Sequence, residues 1–127
     1  MGYAKCRVAR LSPIVYTKAV NIKERKIVML RLDYGKVPFE SWHDKLATAL
    51  QRAVDARLTR LAVGNFGDHK ALGAGVYELR IMKGPGLRVY YGLKGEEIVV
   101  LIGGGDKASQ KRDIQKAKDL WRRYYEN

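Results

Sequence analysis

Residues 75–92, GVYELRIMKGPGLRVYYG, decide how the rest of the chain is read. Tyr77, Leu79 and Ile81 alternate with Glu78, Arg80 and Met82; after a Gly84-Pro85-Gly86 turn, Leu87, Val89 and Tyr91 alternate with Arg88 and Tyr90. Period-two alternation on both sides of a glycine-proline turn predicts a β-hairpin. Successive strand side chains point to opposite faces, so only registers that set Ile81 near Leu87 and Leu79 near Val89 keep the apolar sets together. Arg80 and Arg88 then share the other face, where like charges opposite one another cost a few tenths to about 1 kcal/mol. A compensating acid is expected. Either Glu78 neutralises the pair along its own strand and the face is an ordinary solvated one, or the acid is a phosphate gripped by guanidinium forks.

Composition favours the second reading. A chain of 127 residues suits one domain with a modest core of its own. Its 25 Lys+Arg against 13 Asp+Glu leave a formal charge of +12, which speaks to partners rather than to fold. Nucleic acid leads, and an acidic protein remains open. A membrane is the weaker candidate, because no apolar run approaches the roughly 20 residues needed to span one. Cys6 is the single cysteine, so neither an intramolecular disulfide nor a thiolate zinc site can form. The basic N-terminus lacks the apolar core of a signal peptide, and a cytoplasmic location is expected.

In chain order, residues 1–26 read as a weakly structured basic extension, with a short helix near 14–21, and residues 27–127 as the domain; Met29 is an alternative start. A first strand is expected over 27–34, ended by Gly35. Pro38 opens a helix in which Phe39, Trp42 and Leu46 recur at helical spacing, with Trp42 in the core and His43 at the surface. Thr48 and Gln51 form a capping box for a second helix carrying Leu50, Val54, Leu58 and Leu61. The two helices form an αα-hairpin whose outer face, with Lys45, Arg52, Arg57 and Arg60, is either solvated or a binding stripe. A loop runs from Gly64 through Asp68-His69-Lys70 to the hairpin. Ile98–Ile102 is a continuous apolar strand, and Asp106 or Ser109 caps a last helix whose Ile114, Ala117, Leu120, Trp121 and Tyr124 form one stripe. The expected fold is α+β, a small antiparallel sheet of about four strands with two N-terminal helices and one C-terminal helix, all on one face.

Gly103-Gly104-Gly105 lacks the GxGxxG spacing and βαβ context of a dinucleotide site. It does offer a helix N-terminus flanked by Lys107 and Lys111, an anion site. His43 and His69 have no partner at metal-ligand spacing, so neither a metal nor a cofactor is expected. His69, beside Lys70, is either an exposed loop histidine or a proton carrier working near pH 7.

VPFESW, GNFGDHKALGAGVYELRIMKGPGLRVYY and LIGGGDKASQKRDIQKAK resemble the RelE/HigB-like toxins of bacterial type II toxin-antitoxin modules, in particular the phage-related addiction module killer proteins. The resemblance covers about Ile27 to Trp121; GxYELRI, GPGxRVYY and GGDKxxQxxDI carry it. It implies a metal-independent endoribonuclease that cuts mRNA, commonly on the ribosome, and is silenced by a cognate antitoxin, expected to be a helix-turn-helix protein. On matching positions, His69 and Lys70 fall where members carry basic or histidine site residues. Arg80 and Arg88 fall on strands with phosphate-binding arginines, and Lys107 and Gln110 on the turn and helix start after the last strand.

The chemistry needs a base for the ribose 2′-OH, positive charge for the phosphorane and an acid for the leaving 5′-oxygen. His69 is the first choice as proton carrier and Lys70 and Lys107 as charge stabilisers. Arg80, Arg88, Tyr90, Lys107, Gln110 and Lys111 are the expected RNA contacts, with Tyr90 on the outer face stacking a base or packing. Arg80 and Arg88, read as an exposed pair, are expected to matter little to folding. Many relatives place a tyrosine or histidine near the C-terminal end of the site, and here GDKASQKRDI offers Asp106, Lys107, Gln110 and Asp113 instead. The competing readings are a non-catalytic basic module that inhibits a macromolecular target such as gyrase, and an inactive prophage remnant.

Overall fold

The computed structural model describes residues 24–125, so Cys6, the helix expected near 14–21 and most of the 1–26 extension lie outside the described residues. Along the chain run β1 (Lys26–Met29), α1 (Pro38–Asp44), α2 (Thr48–Ala62), β2 (His69–Gly73), β3 (Val76–Ile81), β4 (Leu87–Lys94), β5 (Ile98–Gly105) and α3 (Gln110–Tyr125). The strands form one five-stranded sheet in the order β1-β5-β4-β3-β2. It is α+β as expected, with two corrections.

The sheet is mixed and has five strands: β1 pairs parallel with β5, and β2 is a strand where a loop was expected. β2 is almost wholly exposed, so it carries none of the buried-face alternation by which a strand is read from sequence. Its hairpin to β3 turns through Gly73, Ala74 and Gly75, all at positive φ. The first strand is shorter than expected. After Met29 the chain leaves the sheet, and Gly35, at φ +92°, closes a turn in which its N–H donates to Leu32 O over 2.8 Å.

The second correction concerns the helices, which cover both faces. On one, Phe39 of α1 and Val54, Leu58 and Leu61 of α2 pack on Leu79, Ile81, Leu87, Val89, Tyr91, Val99 and Leu101. On the other, Ala117 and Trp121 of α3 pack on Val76, Tyr90, Val100 and Ile102. The hairpin register agrees with the expected one: Leu79 opposes Val89, Arg80 opposes Arg88 and Ile81 opposes Leu87. Between β4 and β5, Tyr90 opposes Gly103 but Tyr91 opposes Leu101, so Ile102 is an extra residue in β5. This β-bulge reverses the facing of every residue that follows. Gly104 consequently lies under the Trp42 ring of α1, where a Cβ would collide with it, and Gly105 lies against Asp113 of α3.

Two local readings also change. His43 is buried, 5% exposed, because its Nε2 pairs with Asp55 at 2.8 Å and its ring packs on Phe39. Thr48 is the first residue of α2 rather than its cap, and the Gln51 side chain donates to His43 O over 2.9 Å instead of closing a capping box.

Candidate nucleic-acid interface

Strand alternation puts Val76, Glu78 and Arg80 of β3 and Arg88 and Tyr90 of β4 on the α3 side of the sheet. Val76 and Tyr90 are covered by α3. The arginines lie beyond them, toward the Gly84–Gly86 turn and the start of α3.

Glu78 is fully buried and holds this region together. One carboxylate oxygen pairs with Arg80 Nε at 3.0 Å; the other lies 3.7 Å from Arg88 Nε and accepts 2.8 Å from Gln110 Nε2 of α3. Arg88 also donates from Nη1 to Gly86 O over 2.7 Å. The acid that the arginine pair requires is therefore Glu78, within the protein. The expectation of an exposed pair is corrected: the Arg88 side chain is 11% exposed and that of Arg80 32%. A carboxylate without water must be compensated by these partners, so the arginines are structural whatever else they do. Arg80 and Arg88 carry two positive charges against one negative, and the surplus is open to an external anion.

Lys107 approaches from the loop before α3. Its N–H donates to Pro85 O at 3.4 Å, and its Cβ lies 3.6 Å from where a side chain on Gly86 would begin. Lys111 follows, exposed, as the second residue of α3. At the helix start Ser109 N–H donates to Asp106 over 3.1 Å and the Ser109 hydroxyl to Asp113, so both expected capping residues take part. Lys70 of β2 opposes Glu78 in register and thus shares the arginine face, exposed at the sheet edge.

His69 does not join them. It opposes Leu79, which puts it on the α1/α2 side, where its ring meets Phe66 edge-on at 5.2 Å and its Nδ1–H donates to Gly67 O over 3.1 Å. Adjacent strand residues face opposite ways, so His69 and Lys70 are separated by the sheet itself. Tyr90 is also displaced from its expected position. It is 1% exposed, packed under α3, with no face open for stacking. Burial first, and then the charge of Glu78, push its hydroxyl pKa upward. That hydroxyl makes no hydrogen bond of ordinary geometry.

Glu78 as keystone was absent from the expected site contacts, and Asp113, offered by the sequence only within GDKASQKRDI, lies beside Gly105. The first was legible in the sequence as the neutraliser of the arginine pair; the second depends on the bulge at Ile102. The α2 arginines are only partly a solvated face: half-buried Arg57 donates to Phe66 O over 2.9 Å.

Residues 41–123 match the family described as phage derived protein Gp49-like (DUF891). The chain is 46% identical over 83 residues to an uncharacterized protein of Haemophilus influenzae, an overlap of 65% of this chain and 84% of that one.

Proposed function

Because this chain belongs to the Gp49-like phage-derived protein family, which is associated with toxin-antitoxin modules, we propose that it is the toxin of such a module and acts as an mRNA endoribonuclease. The observation that carries this reading is the arginine pair braced by buried Glu78, flanked on the same face by Lys70 and Lys107. A guanidinium pair held from behind by a carboxylate is preorganised, so its remaining N–H donors need little reordering to meet a phosphate.

In this mechanism the ribose 2′-OH attacks the adjacent phosphorus, and Arg80, Arg88 and Lys107 stabilise the phosphorane. A proton reaches the leaving 5′-oxygen, and the products are a 2′,3′-cyclic phosphate and a 5′-hydroxyl. Lys70 and Lys107 are the proton carriers available on this face; His69 contributes only if RNA wraps the β2 edge. The partner is an antitoxin, a helix-turn-helix protein, that covers the basic face, and the substrate is mRNA on the ribosome.

The placement of His69 on the opposite face favours a second reading, a basic module that blocks its target without cutting. Transcript ends mapped after brief induction separate the two. Discrete new 5′ ends, lost in Arg80→Lys, support cleavage; growth arrest with intact transcripts overturns it. Arg80→Lys is preferable to Arg80→Ala because it keeps the charge beside Glu78 while removing the fork. Products ending in a 3′-hydroxyl would reject the 2′-OH chemistry.

A further inference from the structure

β1 pairs with β5 only over Ile98–Leu101, and among the described residues no strand covers the outer edge of β5 from Ile102 onward. Here α1 and α3 flank a cleft of about 240 Å³ bordered by Lys36, Trp42, Lys45, Gly103, Asp113 and Lys116. The volume lies below the roughly 300–1,000 Å³ of drug-sized pockets, which suits a fragment the size of one base. Its floor is glycine backbone, and nothing lies within 4 Å of where a side chain on Gly103 would begin. Its walls include an indole and a carboxylate among apolar side chains, and its rim carries three lysines. Buried Tyr90 also borders it.

We infer that this cleft binds one nucleobase of a single-stranded RNA, and that it selects bases with an exocyclic amino group. The inference rests on the RNA reading above and extends it to specificity. Single-stranded RNA is recognised where an unstacked base packs on an aromatic side chain and presents its edge to polar groups, with cations holding the phosphates. Trp42 supplies the aromatic surface and the three lysines the charge. Asp113 accepts one hydrogen bond, from the Ser109 hydroxyl, and has lone pairs left for an amino group of adenine, cytosine or guanine. Uracil has none to offer. The cleft also lies at the right place: Tyr90 opposes Gly103 and Arg88 opposes Gly105, so Gly103 is offset by two strand residues and lies one strand from Arg88 and two from Arg80, a backbone separation of roughly 8–12 Å. That is on the order of one to two nucleotides.

The test is fluorescence anisotropy with labelled 2′-O-methyl oligonucleotides, which cannot be cleaved, differing in one base flanking a fixed phosphate. Wild-type protein should bind the adenine, cytosine and guanine forms more tightly than the uracil form. Gly103→Val, which fills the open floor, should weaken the favoured oligonucleotides about tenfold and erase the preference. Gly103→Ala should do so more weakly and serves if the valine variant does not fold. Arg80→Lys should weaken all oligonucleotides alike and keep the preference. Folded Gly103 variants that retain both affinity and preference overturn the base site while leaving the RNA reading intact. Wild-type protein that binds none of the oligonucleotides at low salt overturns both.

Discussion

The two faces of the sheet are built on different principles. The α1/α2 face is an apolar core in which Val54, Leu58, Leu61, Leu79, Val89 and Leu101 are fully buried. The α3 face is apolar only at one end, under Trp121, and becomes ionic toward the hairpin turn, where Glu78, Arg80, Arg88 and Gln110 bond to one another. A core of non-directional contacts tolerates modest repacking, whereas a buried charge cluster depends on every member. The apolar face therefore accounts for most of the stability, and the other face positions charge.

The largest expected effect lies at the strand that closes the apolar face. A chain beginning at Met29 loses three of the four residues of β1, including Ile27, which is fully buried, and with them most of the parallel pairing along β5. It should lack cooperative urea unfolding; an unchanged transition would show that β1 is dispensable. The reading of Met29 as an alternative start expects the opposite, an unchanged transition.

Next comes the direct contrast between faces. Glu78→Ala strands two guanidiniums in a mostly dry site and should cost about 3–5 kcal/mol. Leu58→Ala leaves a cavity under α2 and should cost about 2–5 kcal/mol. The two differ in rescue: Leu58→Met should recover most of the loss, whereas Glu78→Gln should not, since the amide restores shape without charge. Chemical denaturation of all four variants measures this, and full recovery by Glu78→Gln would mean that the cluster is held by hydrogen bonds alone.

A smaller effect concerns the buried tyrosines. Tyr91 stacks on Tyr77 at 5.4 Å, its hydroxyl lacks a hydrogen bond, and burial pushes its pKa up to about 12. A raised pKa means that folding favours the protonated, neutral phenol. That stabilisation is fully present below the unfolded value near 10 and is lost as pH rises through about 12. Tyr91→Phe should leave stability at pH 7 within about 1 kcal/mol of wild type, because no hydrogen bond is lost. It should flatten the decline between about pH 10 and 12, followed by thermal melts; an equally steep decline would place the titration at Tyr90, whose pKa is raised too.

The sequence alone determined the hairpin, its register, the buried β5 run and the apolar stripe of α3, because each is a local period of two or 3.6 residues. It also required an acid for the arginine pair and contained Glu78 two residues from Arg80. Only the tertiary structure decided that the acid is Glu78 rather than a ligand, since alternation separates two faces without saying whether the second meets water or a helix. α3 covers that face, so Tyr90 is core and Glu78 is dry. The same limit explains His69 and Lys70, adjacent in sequence and divided by a strand that was read as a loop. The cleft beside Gly103 needed one more long-range fact: the extra residue Ile102, which reverses the facing of the glycines and is specified by how β5 pairs with β4. Pairing between distant segments is set by packing over the whole fold and leaves no period in the chain.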